Sequence, residues 1–269
     1  MRSLLLTFVF LVVGHGVASA CVTCATGDPS LTAMGNEAWS EQSWRIQTSL
    51  RLRSFRAFDV TIDERRLGLA VQYAPMERVS LMARQFVAHQ TLSLANLSEE
   101  RRYVFSDPWL GARVLLFRNT RFAPRHTLTL DAGATIPVID AQESPVGPSG
   151  REAQLTGERA ELGGGLTYRY RRNQVSLLMR ASLRSGDDPA LLSQVRLAYQ
   201  PADAVSFVVG STFQRVLFAP TDTIIAASFG FRARAGSSTF GVEVAVPLYV
   251  DVQDGDAGPI LYLDWVFDA

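Results

Sequence analysis

The stretch WRIQTSLRLR (44–53) changes character at every residue. Trp44, Ile46, Thr48, Leu50 and Leu52 fall on one side of an extended chain, and Arg45, Gln47, Ser49, Arg51 and Arg53 fall on the other. A period of two belongs to the β-strand, so this segment is predicted as a strand with one apolar and one strongly polar face. The alternation returns in RLGLAVQY (66–73), RVSLMARQFVA (78–88), PWLGARVLLFR (108–118), HTLTLDAGATI (126–136) and ELGGGLTYRY (161–170). It continues through QVSLLMRASLR (174–184), LLSQVRLAY (191–199), AVSFVVGSTFQR (204–215), DTIIAASFGFRA (222–233), STFGVEVAVP (238–247) and PILYLDWVF (259–267). Twelve such stretches predict an all-β chain of about 12 strands.

Strands of this kind suit either a water-soluble all-β fold or a closed antiparallel transmembrane β-barrel of up-and-down topology. The connections favour the barrel. Short links (APME, NTRFAPR, RRN, QPAD, RAGS) follow strands 2, 4, 6, 8 and 10, whereas the links after strands 3 and 5, at 89–107 and 137–160, are long and polar. Outer-membrane barrels alternate short periplasmic turns with longer outer loops in this way. An even strand number leaves both termini on the periplasmic side. Trp44, Tyr73, Tyr170, Tyr199, Trp265 and Phe267 then all lie at the periplasmic ends of their strands on the apolar face. Rings gathered at one height are expected of a headgroup girdle and not of a sandwich core.

The N-terminus agrees with export. Arg2, the apolar run Leu4 to Val13 and the small-residue pattern Ala18-Ser19-Ala20 read as a signal peptide over residues 1–20. A segment over 21–43 carries Cys21 and Cys24, the only cysteines, and residues 44–269 form the expected barrel. In an oxidising compartment two nearby thiols are expected to form a disulfide. Lipidation of Cys21 stays open, although Ala18 replaces the usual leucine of a lipobox, and soft-metal binding, with Cu(I) the natural ion, stays open too. Haem attachment is excluded by Ala25 where C-x-x-C-H needs histidine, and the surrounding pattern is not that of a thioredoxin.

DPWLGARVLL (107–116), LTLDAGATIPV (128–138) and AELGGGLTYRY (160–170) resemble segments of the "transporter" or phenol-degradation-associated families of Gram-negative outer-membrane β-barrels. CVTCATGDPSLTAMG (21–35) resembles the N-terminal Cys-x-x-Cys motif of some barrels of that kind, and LYLDWVF (261–267) resembles the C-terminal strand signal of outer-membrane proteins, here with Asp268 and Ala269 beyond the last aromatic. The resemblance implies a barrel architecture and a location in the cell outer membrane. It transfers no catalytic residues and no cofactor.

Several chemistries fall away on composition. All 26 basic residues are arginine, which removes every site that needs a lysine amine, from the Walker A loop to the Schiff base. A barrel phospholipase would need a serine and histidine at the outer rim. His89 is the one histidine expected there, as a solvated loop residue, and no G-x-S-x-G accompanies it, so the chain is expected not to be an enzyme. The aspartates of DVQDGDAG (251–258) lack EF-hand spacing and read as a turn. Gly163 to Gly165 follow no strand-to-helix step and are expected to permit close side-chain approach within a strand.

The polar face carries the functional expectation. Candidate pore-lining residues are Arg45, Arg51, Arg53, Arg84, Arg113, Asp131, Glu161, Arg169, Arg180, Arg196 and Glu243, with Arg66, Arg184, Arg232 and Asp264 on the same face. Arg51 and Arg180 are the expected constriction, and Leu130 and Thr129 are expected to face lipid and water respectively. Arginine outnumbers acid on this face although the whole chain has zero net charge, which favours anions in a narrow lumen. The expected function is a pore or transporter for small solutes, anion-preferring; the alternative is a non-conducting structural or assembly barrel that displays its Cys-x-x-Cys segment to a partner. Expected partners are outer-membrane lipids, lipopolysaccharide and the barrel assembly machinery, with no nucleic acid and a monomeric state.

Overall fold

A computed structural model describes residues 42–57, 60–94, 99–120, 125–138, 161–185, 189–202, 204–217, 222–252 and 255–268. The expected signal peptide, Cys21 and Cys24 lie outside them. The described residues form thirteen strands: β1 (Ser43–Ala57), β2 (Val60–Met76), β3 (Val79–Leu94), β4 (Glu100–Phe105), β5 (Trp109–Arg118), β6 (His126–Thr135) and β7 (Glu161–Arg172). They continue as β8 (Val175–Arg184), β9 (Ala190–Ala202), β10 (Val205–Val216), β11 (Asp222–Ala235), β12 (Ser238–Val252) and β13 (Gly255–Asp268). Neighbours pair antiparallel, and β1 pairs with both β2 and β13, so the sheet closes on itself. Closure leaves no unpaired edge, which is what a sheet in lipid requires.

β4 and β5 share one position in the wall. β3 pairs with β4 through Val87 to Leu92 and with β5 through Val79 to Arg84. Between them Ser106, Asp107 and Pro108 oppose only Gln85 and Phe86, so the two pieces are one barrel strand interrupted by an extra residue. The barrel is therefore twelve-stranded around its circumference. Gln85 Nε2 donates to the Ser106 carbonyl at 3.2 Å and Phe86 N donates to Ser106 Oγ at 2.7 Å, so the interruption keeps its polar groups satisfied.

Three tight links sit at the end of the barrel where β1 begins and β13 stops, hereafter the termini end: Glu77–Arg78, Asn173–Gln174 and Gly236–Ser237. Asn173 (φ 50°) and Gly236 (φ 60°) occupy the left-handed region that such reversals demand and that these residue types tolerate. The same end carries the ring of aromatics. Trp44 stacks on Tyr73 at 4.4 Å, Trp265 lies beside Phe240 and Phe267, and His126 lies beside Tyr170.

One expected connection is not a loop. The segment 89–107 is mostly strand, the outer part of β3 followed by β4. Its alternation of faces is intact, but polarity no longer separates them: Gln90, Leu92 and Val104 are buried inside, while Arg101, Tyr103 and Phe105 are exposed outside. The same mixing runs through β1, where Phe55 points inward and Arg56 outward, and β2, where Ile62 and Glu64 are buried while Asp63 and Arg65 are exposed. Beyond the lipid a barrel wall faces water, so its outer face turns polar and its inner face can be dry.

Candidate functional site

The interior of the barrel is the candidate site, and its middle layer is an ion-paired hub on Glu64. Arg51 Nη2 and Arg53 Nε donate to Glu64 Oε1 at 2.8 and 2.9 Å, Arg66 Nη2 to Oε2 at 3.1 Å, and Gln90 Nε2 to Oε2 at 3.0 Å. The register creates this cluster, because β1 lays Arg51 beside Arg66 and Arg53 beside Glu64, and β3 lays Gln90 beside Glu64. Gln90 passes the network on by accepting from Arg102 Nε at 3.0 Å. Arg51 is fully buried and Glu64 is 1 % exposed, so the hub fills the lumen on this side.

Two smaller ion pairs complete the layer. Arg113 donates from Nε and Nη2 to the two oxygens of Asp131, which faces Arg180 Nη2 at 3.4 Å. Arg196 Nη1 donates to Glu243 Oε2 at 2.8 Å across the lumen from β9 to β12. Glu161 pairs with Arg184 near the opposite end of the barrel from the termini, and Arg45 with Asp268 near the termini. Arg169 shares the inward face with buried Thr167. Every sequence-predicted candidate on the described strands thus projects inward.

Two corrections follow. Arg51 is not an exposed constriction residue; it is sealed against Glu64, a partner the sequence reading left out. Glu64 was missed because TIDERR (61–66) carries charge on both faces and reads as a loop, although extending the alternation back from Arg66 places Glu64 and Ile62 inside. His89 is not a loop residue either. It lies on β3 opposite Tyr103, with the rings 4.9 Å apart, on the outer wall.

Above and below the hub lie two cavities of different chemistry. On the termini side, a cavity open to solvent is bordered by Arg45, Arg84, Arg113 and Arg180 against the single carboxylate of Asp131, with Trp109, Met82 and Ala70 as its apolar wall. Trp109 is held there by its neighbours. A Cβ at Gly111 or Gly133 would collide with its ring, and one at Gly163 would touch it, while Arg84 lies over the ring at 4.3 Å. The expectation that Gly163 to Gly165 admit a close side chain is met at Gly165, where a Cβ would lie 2.7 Å from the Ser182 Cβ. On the far side, a second cavity is bordered mainly by apolar groups, among them Phe55, Leu192, Ile224, Ala245, Pro247 and Tyr262.

Among the described residues no cluster of three or more metal-ligating side chains occurs. No protein-family model and no curated protein matches the chain by sequence. Its fold has solved counterparts. The COG4313 outer membrane channel from Pseudomonas putida F1 is similar at TM-score 0.65 and 14% identity, over 87% of this chain and 98% of that one. The NanC porin is similar at TM-score 0.53 and 7% identity, over 82% and 98%. The translocator domain of the autotransporter NalP from Neisseria meningitidis is similar at 0.52 and 10% identity, over 89% and 92%. The chain therefore has the fold of Gram-negative outer-membrane β-barrels, one that channels and porins use.

Proposed function

We propose that the protein is a conduit for small solutes across the outer membrane, with its termini periplasmic and with a preference for anions. The observation that carries this reading is the arginine-rich interior. Four arginines face one aspartate in the cavity on the termini side, and three arginines share one glutamate in the layer above it. Fixed positive charge beside a narrow water column, inside a low-dielectric wall, concentrates anions. The similarity to a channel and a porin supports passage of solutes as the general role.

The Glu64 hub narrows the lumen on the β1–β3 side. That buried cluster also favours a second reading, a barrel that does not conduct and serves as a scaffold. Planar-bilayer recording under a KCl gradient separates the two. The expected reversal potential lies on the anion side and shrinks with salt, because the screening length falls from about 10 Å at 0.1 M to about 3 Å at 1 M. A cation-side potential defeats the charge argument, and folded protein with no conductance in any recording favours the scaffold.

A further inference from the structure

We propose that the cavity on the termini side is a binding subsite for the carboxylate of a small apolar acid. This deepens the conduit reading by naming a class of solute, and it rests on different atoms. The cavity joins two chemistries within one volume: arginine side chains and an apolar wall of Ala70, Met82 and Trp109. An anion alone would leave that wall against water, and a neutral apolar solute would strip water from the arginines without replacing it. A solute with a carboxylate on a compact apolar body satisfies both.

Arg180 is the residue best placed to hold the carboxylate. Its Nη2 makes one long contact with Asp131 at 3.4 Å, while Nε and Nη1 are buried and donate to no protein acceptor. Asp131 is already held by Arg113 through both oxygens, so the Arg180 fork is not committed to it. A guanidinium presents paired N–H groups that match the two oxygens of a carboxylate. Arg84 adds a second positive charge, fixed in orientation by the face of Trp109. Net charge supports the direction: four arginines border the cavity against Asp131, and Asp268 is bonded to one of them, Arg45.

The apolar cavity beyond the hub fits the approach of the same solute. Gln47 borders one cavity and Arg53 the other, and six residues of strand span about 20 Å. A compact acid therefore visits them in turn, its apolar body favoured in the first and its carboxylate in the second. Inorganic anions share the charge but not the apolar body, and the choice of probes distinguishes them.

Four probes at about pH 7.5, where a carboxylic acid is ionised, test the assignment on the full-length folded barrel. Benzoate carries both features, benzamide has the same shape without the charge, and acetate and inorganic phosphate have the charge without the body. Equilibrium dialysis of the detergent-solubilised protein reads binding without any need for conductance. Benzoate is expected to bind more tightly than any other probe by about tenfold or more, the effect of one charge-assisted hydrogen bond. Arg180→Gln is expected to remove that advantage while the barrel keeps its heat-modifiable gel mobility, since Asp131 retains Arg113. Arg84→Gln is expected to weaken benzoate in the same direction. Equal binding of benzamide and benzoate, binding of phosphate and acetate as tight as benzoate, or benzoate binding unchanged in folded Arg180→Gln overturns the proposal. Benzoate binding by a barrel that never conducts would overturn the conduit reading and leave the subsite standing.

Discussion

Glu64 receives hydrogen bonds from three arginines and a glutamine in the middle of the barrel. Removing one member of a buried ion cluster strands its partners, and such losses cost about 3–5 kcal/mol. Glu64→Gln leaves three guanidinium groups without their shared countercharge, so it is expected to lower the urea midpoint of the barrel strongly, followed by loss of the compact gel form. Arg51→Gln is expected to destabilise less, because Arg53 and Arg66 still hold the carboxylate. Arg180→Gln is expected to be mild. If Glu64→Gln unfolds at the wild-type urea concentration, the hub is not a structural element of the lumen.

A strand in this wall changes environment along its length, and its pattern changes with it. In β1 the outward residues run from Trp44 through Ile46 to apolar Leu52 and then to Ser54 and Arg56, while the inward ones run from Arg45 to Phe55. The chain has not slipped register there against β2, which pairs continuously from Ser43 to Ala57. The solvent outside has changed from lipid to water. On β6 the wall is still in lipid: Leu130 points outward at 39 % exposure and Thr129 inward at 8 %. Leu130→Arg puts a charge into hydrocarbon and is expected to cost about 2–4 kcal/mol near the midplane. Thr129→Arg, mild if the interior were open water, must fit a guanidinium into a filled layer, and overpacking of that kind costs about 1–3 kcal/mol. Urea unfolding of the two variants checks the ranking, and a wild-type midpoint for Leu130→Arg would contradict the outward placement.

At the scale of the molecule, closure between β1 and β13 pairs the first described strand with the last. No strand edge is left to unzip, so the barrel is expected to survive sodium dodecyl sulfate until heated and to run at different positions boiled and unboiled. It is expected to fractionate with outer membranes, because a belt of outward apolar residues, among them Leu69, Leu81, Leu110, Leu166, Leu197 and Phe229, is exposed on the wall. Recovery of the folded protein from the soluble periplasmic fraction would refute the assignment of that belt to lipid.

Sequence alone determined the strand period and the sorting of charge to the inner face, which follow from local alternation, because a face that buries side chains in one medium must repeat every second residue. It also pointed to the closed antiparallel barrel, through the lengths of the connections and the aromatics gathered at one end. The aromatic ring at the termini end was legible for the same reason. Which arginine meets which acid was not, since Arg196 and Glu243 are joined across the lumen from strands far apart in the chain. The strands that run through TIDERR and QTLSL were also hidden, because there the outer face meets water and polarity ceases to mark inside from outside. Tertiary structure decided that the arginines of β1 and β2 are buried on Glu64 and that cavities lie on either side of that cluster, for the depth of a lumen depends on register and closure around twelve strands, which no single strand encodes.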